Sequence, residues 1–424
     1  MSFEKLMRGP VMPANFTRNE AYFDGKKRLD ALGVTLPPEM RVLEIVVDWP
    51  RILVEALEER LTIEGFTIAG QAEANQRYWR RWQANRMDLT APLVHTEALV
   101  QGCGYVVVGG GGPQGFARIT GHSALGFTVS KDRATGVVSE AVQRFSDEES
   151  PAVVHYVPGK NYIYRKSNGR YLFEKGLDSG TQRIPVVPFV NRARLRDDMG
   201  RSEMQDVIRY TDAASRSITN LQVAVETVAL PQKYMLGAAA NDFKDPDGKQ
   251  KTQWETYIGR ILLGPKDAKV GTLQGANLQD ITSVLRLYAG FVSASSGMSL
   301  MSLGIGTDAN PASEGALNAV DNRHVRKAEK KQALFDDSWE DVQRIADDIE
   351  GVADKESDLL ETQWRPAATM TLESVAAAAS TLVTAGIIPP AVARNRIGLT
   401  PEEKRIADEA ERNSAASLLR AVGS

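Results

Sequence analysis

The sequence predicts an α+β fold in which long helices flank an antiparallel sheet, and three observations support that prediction. Apolar residues recur at helical spacing through the first hundred residues and again from residue 201 onward. Short β-branched and aromatic runs, separated by turn residues, occupy residues 105–173. One uninterrupted helix is predicted from Pro311 to about Gly351. The 424 residues are enough for more than one domain and a sizeable core.

The N-terminal region is predicted to contain three helices. Apolar residues lie at roughly helical spacing from Pro37 to Leu61, and Pro50 is expected to kink or divide this helix because proline lacks a backbone N–H. Gly65 is expected to end it. Two further helices are predicted over residues 76–86 and 89–101.

The next region is predicted to be an antiparallel meander. The Asn168–Gly169 pair is its strongest hairpin signal, because both residues tolerate the positive φ angles of a tight two-residue turn. The segment 184–191 contains two prolines, which suit an edge or crossing strand. The predicted strands cover residues 105–108, 126–130, 137–145, 152–157, 161–166 and 170–173.

Two long helices are predicted after the sheet. The first covers residues 201–230 and ends at Pro231, and the second covers about residues 278–296. The segment between them, 231–276, is rich in glycine, lysine and aspartate and has one strand-like run at 257–263.

An uncharged loop and the long helix follow. Residues 297–311 carry glycine, serine and methionine, with no charge before Asp308. Asn310 is the expected cap and Pro311 the first residue of a helix of roughly 60 Å at ~1.5 Å per residue. Three shorter helices are predicted at the C-terminal end, beginning near Thr371, Pro389 and Thr400.

Composition excludes several classes of protein. The net charge of −3 argues against a tight nucleic-acid binder, although not against a protein along which DNA slides. The single cysteine, Cys103, excludes an intrachain disulfide and a four-cysteine zinc site. The chain shows neither a signal-peptide core nor a long uninterrupted apolar stretch, so no membrane partner is expected.

The candidate catalytic and ligand-binding motifs each have a structural explanation. The Gly109–Gly115 run matches neither nucleotide-loop pattern and is predicted to be a hairpin loop, although a nucleotide-using enzyme built on it stays an alternative. Cys103 and His95 are considered as nucleophile and base, but no orienting carboxylate is evident. The acidic segment 241–248 does not fit a calcium loop. Neither catalysis nor a cofactor nor a metal is therefore expected.

A basic cluster lies early in the long helix, and acidic residues follow it. Arg323, Arg326, Lys327 and Lys330 share one helical face, and Lys331 belongs to the same cluster. The face is either solvated and salt-bridged, or in contact with phosphates or with acidic residues of a neighbouring subunit.

Six segments follow one another in a recognisable order. They are YFDGKKRLDALG, VVDWPRILVEALEERLTIEGF, IPVVPFVNRARL, SEMQDVIRYTDAASRSITNLQVAVETVALPQKYMLG, SSGMSLMSLGIG before the long helix, and TLVTAGIIPPAVARNRIGLTPEE. Taken in this order, the segments resemble the portal proteins of long-tailed bacteriophages, in particular the group found in phages of actinobacteria. The resemblance covers nearly the whole chain.

The resemblance implies a portal fold with named regions. These are a wing (1–200, helical and then antiparallel β), a first stem helix (201–230), a clip (231–276), a second stem helix (277–297), a tunnel loop (298–311), a long wing helix (312–365) and an α-helical crown (366–424).

The resemblance also implies which residues act in such a protein. About twelve copies would form a ring around the DNA channel. The tunnel loop would face DNA through Ser299, Ser302, Leu303, Gly304, Ile305 and Gly306, and its glycines would let the backbone shift. The clip would face terminase or adaptor through Lys249, Lys251, Lys266 and Lys269. Inter-subunit or phosphate contacts would come from Arg286, Arg323, Arg326, Lys327 and Lys330.

The implied partners are those of a portal vertex. They are further copies of the chain, double-stranded DNA in transit, the major capsid protein, the large terminase subunit, a head–tail adaptor and a scaffolding protein. The implied location is the virion, with assembly in the host cytoplasm. The remaining alternatives are another structural or connector protein of a virion and the nucleotide-using enzyme.

Overall fold

The computed structural model confirms the mixed class, with helices around antiparallel sheets. The chain divides into two compact units, Met1–Arg365 and Pro366–Ser424. The residues that the structure describes are 15–29, 43–69, 75–132, 134–146, 151–195, 200–228, 233–236, 269–272, 278–306, 314–352, 356–368, 372–397 and 406–407.

The first unit contains seven described α-helices, and the second contains two among its described residues. Those of the first unit are α1 (Phe16–Phe23), α2 (Trp49–Glu58), α3 (Gln76–Ala84), α4 (Met87–Gln101), α5 (Ile208–Val228), α6 (Leu278–Ser296) and α7 (Glu314–Glu350). Those of the second unit are α8 (Leu372–Thr384) and α9 (Pro390–Ile397).

Twelve strands are described, all in the first unit. They are β1 (Ile63–Ile68), β2 (Cys103–Gly109), β3 (Arg118–His122), β4 (Phe127–Lys131), β5 (Val138–Ser146), β6 (Pro151–Val157), β7 (Lys160–Ser167), β8 (Arg170–Asp178), β9 (Val186–Val190), β10 (Lys233–Leu236), β11 (Lys269–Thr272) and β12 (Leu360–Trp364).

The predicted meander is confirmed as a five-stranded antiparallel sheet in the order β4–β5–β6–β7–β8. The turn between β7 and β8 has positive φ at both Asn168 (49°) and Gly169 (79°), as a two-residue hairpin with matched twist requires. A separate sheet has the order β3–β2–β9, and the proline-containing strand β9 lies at its edge as predicted.

The prediction for Pro50 is wrong. Residues 44–48 are not helical, and α2 begins at Trp49 with Pro50 in its first turn. Proline is tolerated there because the N–H groups of the first turn have no intrahelical acceptor. Gly65 does not end a helix either, since it lies within β1.

Strand β1 pairs antiparallel with β12, and the sequence did not indicate either strand. Ile63 lies opposite Trp364, and Ile68 lies opposite Leu360. This pairing joins the segment after α2 to the segment after α7, so residues far apart in the sequence close one side of the first unit.

The core of the first unit is built around α7. This helix has 37 residues and therefore a length of about 55 Å at ~1.5 Å per residue, close to the prediction. Its buried Phe335 and Trp339 pack against Phe189 of β9, with ring centroids 5.8 and 4.6 Å away. Trp339 also packs edge-on against Trp82 of α3 at 4.9 Å. The apolar side of α7 thus joins the β9 sheet to the N-terminal helices.

His95 of α4 lies fully buried in this aromatic core. Its ring stacks on Phe335 at 5.3 Å, and its Nε2 accepts a hydrogen bond of 3.0 Å from the indole N–H of Trp339. Burial disfavours the charged ring and lowers the pKa of His95 from 6.5 to about 3. His95 is therefore neutral in the folded protein.

This burial predicts that stability begins to fall near pH 6.5, before ordinary carboxylates begin to titrate. The unfolded chain takes up a proton at this position below pH 6.5 but the folded chain does not until about pH 3, so stability falls as pH falls between those values. One such proton gives a slope of up to about 1.4 kcal/mol per pH unit. Urea unfolding from pH 7.5 to 5 should show it. His95→Gln, which keeps an acceptor for Trp339, should flatten the slope; an unchanged slope would contradict the assignment.

Candidate functional site

The connection between α6 and α7 is an ordered turn. Ser299 caps it, because its Oγ accepts a hydrogen bond of 3.1 Å from the N–H of Ser302. Gly304 ends it with φ of 77°. The Gly304 N–H donates to the carbonyl of Met301 (3.0 Å), and the Ile305 N–H donates to that of Leu300 (3.0 Å). These bonds form the Schellman arrangement that closes helix ends, with glycine at its left-handed position.

The turn is fixed to the rest of the first unit on one side. Met298 and Leu303 are buried, the latter with 4% of its surface exposed. The indole N–H of Trp49, at the start of α2, donates a hydrogen bond of 3.1 Å to the carbonyl of Leu303. The expectation that Leu303 faces DNA is therefore corrected: a side chain buried within its own subunit is an anchor and cannot line a channel.

The opposite side of the turn is exposed and carries no charge in its described part. Ser302, Gly304 and Gly306 are exposed, while Ser299 and Ile305 are half-buried. Met301, which the sequence did not single out, exposes 54% of its surface. Residues 307–313 lie outside the described residues. The exposed face can make steric and weak polar contacts, but its described residues cannot form an ion pair with a charged partner.

The hydrogen bond from Trp49 predicts a measurable anchor. Trp49→Phe keeps most of the buried ring but removes the donor, so we expect a loss of about 1 kcal/mol in the free energy of unfolding. Amide hydrogen exchange in residues 300–306 should become faster than in the wild-type protein. Slower or unchanged exchange in this segment would show that the anchor lies elsewhere. Trp79→Phe serves as the matched control, because Trp79 belongs to α3 and stacks on Trp82 at 6.3 Å.

The basic cluster of α7 contains some residues that are exposed and others that are paired within the chain. Arg323, Arg326 and Lys330 are exposed, as a contact surface for a partner requires. Lys327 instead has partners within its own chain: its Nζ lies 2.5 Å from a carboxylate oxygen of Glu203 and 3.3 Å from the carbonyl of Ser296. The assignment of Lys327 to inter-subunit or phosphate contacts is thus replaced by an intrachain role.

Lys331 is buried beside Lys327 and completes an ionic cluster. Its ammonium group donates to Asn191 at the end of β9 and lies 2.8 Å from the carboxylate of Glu203. Burial would raise the pKa of Glu203, but the two lysines outweigh it and hold that pKa at about 2. The cluster joins α7 to the β9 sheet, to the segment before α5 and, through Lys327, to the end of α6.

The two helices α5 and α6 pack against one another. Tyr210 and Phe291 lie with ring centroids 5.3 Å apart. Arg286 is exposed on α6, as a residue that contacts a partner must be. Several large apolar side chains of these helices are also partly exposed, namely Val225, Val284, Leu287 and Phe291. A helix pair with an exposed apolar surface is typical of an element that packs against another chain.

The clip residues are mostly outside the described residues. This holds for Lys249, Lys251 and Lys266, for the side chain of Lys269 and for the strand-like run 257–263. The backbone of Lys269 begins β11, which pairs antiparallel with β10. The predicted third C-terminal helix near Thr400 also falls largely outside the described residues.

A second ionic cluster fixes the last turn of α7. Arg81 of α3 is fully buried, and one of its terminal nitrogens lies 2.6 Å from a carboxylate oxygen of both Asp347 and Glu350. Gln343 accepts a further bond of 2.7 Å from Arg81, and the hydroxyl of Tyr78 donates to Asp347 at 3.1 Å. This cluster was not expected from the sequence.

The candidate chemical sites do not assemble into a reactive centre in the described part of the chain. Cys103 is buried, and burial raises the pKa of its thiol to about 12, so the reactive thiolate is absent at neutral pH. The Gly109 loop connects β2 to β3 through a short 3₁₀ turn (Pro113–Gly115) and leads into no helix that could hold phosphate. No group of potential metal ligands is found among the described residues.

None of the described helices is both long and apolar enough to cross a membrane.

Two characterised relatives resemble the chain over nearly its whole length. The portal protein of Mycobacterium phage D29 is 32% identical over 425 residues, which cover 96% of this chain and 87% of the relative. The portal protein of Mycobacterium phage L5 is also 32% identical, over 95% of this chain and 86% of the relative.

Solved structures of phage-like particles share the fold. The chain matches a structure described as "Neck of empty GTA particle computed with C6 symmetry" with a TM-score of 0.52 and one described as "Virion of native gene transfer agent (GTA) particle" with a TM-score of 0.51. Each match has 13% sequence identity and covers 94% of this chain and 98% of the other. At this identity the likeness concerns the fold alone.

The family comparison agrees with these relatives and with the order of elements on either side of the anchored turn. The family described as "Phage portal protein, SPP1 Gp6-like" matches residues 14–416, almost the whole sequence. The chain therefore belongs to the SPP1 Gp6-like family of phage portal proteins.

Proposed function

We propose that about twelve copies of this portal protein close into a ring at one capsid vertex and enclose the channel through which double-stranded DNA enters and leaves. The observation that carries the proposal is the family match over residues 14–416. A matching fold in a particle neck computed with C12 symmetry supports the copy number. No enzymatic role is assigned to the chain.

The regions of the subunit are those that the resemblance to the portal family implies. Residues 1–200 and the long helix (312–365) form the wing, the helices within 201–230 and 277–297 form the stem, and 231–276 form the clip between them. Residues 298–311 form the tunnel loop, and 366–424 form the crown. The packing of α5 on α6 supports the two-helix stem.

Ring closure requires that one face of each subunit docks onto a different face of the next. The exposed apolar side chains of the stem supply one such face. Arg286, Arg323, Arg326 and Lys330 are exposed and supply cations for acidic residues of the neighbouring subunit or for DNA phosphates. Lys327 does not belong to this set, because it is paired within its own chain.

The exposed side of the tunnel loop meets DNA without binding it firmly. Each ion pair between a DNA phosphate and a lysine or arginine must break before DNA advances, so each one adds to the free-energy barrier for movement. Met301, Ser302, Gly304 and Gly306 are exposed and uncharged, so they narrow the channel by bulk alone. Leu303 and Trp49 hold the loop in position from behind.

The partners follow from the same assignment. Major capsid protein surrounds the wing, a scaffolding protein assists assembly in the host cytoplasm, and the large terminase subunit docks on the clip through Lys249, Lys251, Lys266 and Lys269. The terminase motor supplies the energy of packaging, and a head–tail adaptor later takes its place at the clip in the virion.

The mass of the native assembly tests the proposal. A ring of twelve subunits of 46.4 kDa has a mass of roughly 0.56 MDa. We expect annular particles of that mass by light scattering and negative-stain imaging, either from the purified protein or from particles that contain it. Purified protein and particles that both lack such rings would overturn the proposal.

A further inference from the structure

Strand β8 forms one edge of the five-stranded sheet and is paired, among the described residues, only with β7. It has nine residues, more than most edge strands leave unprotected. Backbone N–H and C=O groups along its outer side point away from β7, and an extended polypeptide can satisfy them by pairing as a further strand.

The side chains of β8 are unusually apolar for such an edge. Leu172, Phe173 and Leu177 expose 57%, 59% and 46% of their surface. Phe173 contacts the rings of Tyr162 and Tyr164 on β7, with ring centroids 6.3 and 5.9 Å away, but these contacts leave more than half of its surface exposed. Single exposed apolar residues are common, whereas a group on one edge strand indicates a contact surface.

The charge of the same hairpin is positive. Residues 160–178 carry five lysines or arginines and two acidic residues, a net charge of +3 in a chain whose total is −3. The two acidic groups are already engaged: Glu174 pairs with Arg165 at 2.7 Å, and Asp178 accepts the N–H of Gly180. Lys175, exposed in the middle of β8, therefore favours a carboxylate on whatever lies beside it.

We propose that β8 is the docking edge for an extended, acidic segment of another protein, which adds to the sheet as a sixth strand. Main-chain hydrogen bonds to β8 supply affinity. Leu172 and Leu177 contact apolar side chains of the partner, and Lys175 selects a carboxylate on it. The proposal does not depend on the DNA channel or on the number of subunits.

Two other occupants fit the surface less well. A second copy of β8 would bring together two hairpins that each carry a net charge of +3, so their charges would repel and would not complement one another. Duplex DNA would be attracted by the cations, but it offers no partner for the backbone edge and gains little from exposed leucines.

A peptide-binding experiment on the full chain tests the proposal. The probe is a fluorescent peptide of nine residues, the length of β8, with alternating glutamate and valine. Binding is measured by anisotropy for the wild-type protein, for Lys175→Glu and for Leu172→Ser. Lys26→Glu, an exposed substitution of equal charge outside the sheet, is the control. A lysine–valine peptide and a short DNA duplex are the competing probes.

We expect saturable binding of the acidic peptide, slower amide exchange in residues 170–178 on binding, and an affinity at least about tenfold lower for Lys175→Glu. Leu172→Ser should also weaken binding, and Lys26→Glu should not. Absence of binding, equal binding of the lysine–valine peptide, or an affinity unchanged by Lys175→Glu would each overturn the proposal. If Lys175→Glu weakens the binding of DNA but not of the peptide, the hairpin is a nucleic-acid contact and the proposal is wrong. A Lys175-dependent oligomeric state would make it a contact between copies.

Discussion

Arg81→Met is expected to lower the free energy of unfolding by about 3 kcal/mol, the lower end of the cost of removing one partner from a buried ion pair. Arg81 is fully buried, and its guanidinium lies 2.6 Å from both Asp347 and Glu350. Methionine fills much of the same volume, but it removes the buried cation from two carboxylates that are themselves mostly buried. Arg77, which lies 2.9 Å from Glu350 and 3.5 Å from Asp347, compensates these charges only in part because it is more exposed than Arg81.

Urea unfolding followed by circular dichroism measures this effect. Arg80→Met is the matched control, because Arg80 is the exposed neighbour on the same helix and the substitution should change stability by less than about 0.5 kcal/mol. Adding Glu350→Gln to Arg81→Met should restore part of the loss, since it removes one buried charge. Equal stability of Arg81→Met and Arg80→Met would mean that the cluster does not fix the end of α7.

Ser302→Lys is expected to slow DNA passage on the order of tenfold at low salt, relative to Ser302→Gln. Ser302 is exposed on the proposed tunnel loop. Its backbone N–H, which donates to Ser299, is kept by the substitution, and the contact between its hydroxyl and the Ser299 hydroxyl (2.7 Å) is lost equally in both variants. A ring of subunits would place a lysine beside DNA in every copy. Each phosphate that is neutralised steepens the salt dependence of binding by about 0.9 in a log–log plot.

Packaging by particles that carry each variant provides the measurement. The difference between Ser302→Lys and Ser302→Gln should shrink as salt rises, because screening and counterion release weaken the phosphate contacts. Ser302→Gln, of similar length but uncharged, controls for bulk in the channel. If the two variants package and retain DNA equally at low salt, position 302 does not face DNA and the proposed tunnel loop is wrong.

Local patterns were enough to predict most elements of the first unit. The meander was predictable because alternation and the Asn168–Gly169 turn are short-range signals, and the three helices α5, α6 and α7 because their apolar stripes are long. The β1–β12 pair was not predictable, since each strand is short and its partner lies roughly 300 positions away in the sequence. Only tertiary contact decides such a pairing.

The position of the candidate loop was predictable from the sequence, but the residues that fix it to the rest of the first unit were not. The uncharged loop stood out by composition, whereas the burial of Leu303 depends on Trp49, which lies far away in the sequence. Lys331 and Arg81 did leave a signal. Each occupies a position on the apolar stripe of its helix, Lys331 between Ala328 and Phe335, and a charge at such a position predicts a buried partner.

The two ionic clusters give α7 a mechanical property. Lys327 and Lys331 fix its N-terminal half, and Asp347 and Glu350 fix its last turn. A helix that is held by ion pairs at two points about 30 Å apart, at ~1.5 Å per residue, resists bending between those points. The helix therefore holds the region around Glu203 and the region around Arg81 at a fixed separation, so a displacement at one ionic cluster is carried to the other and is not absorbed by bending between them.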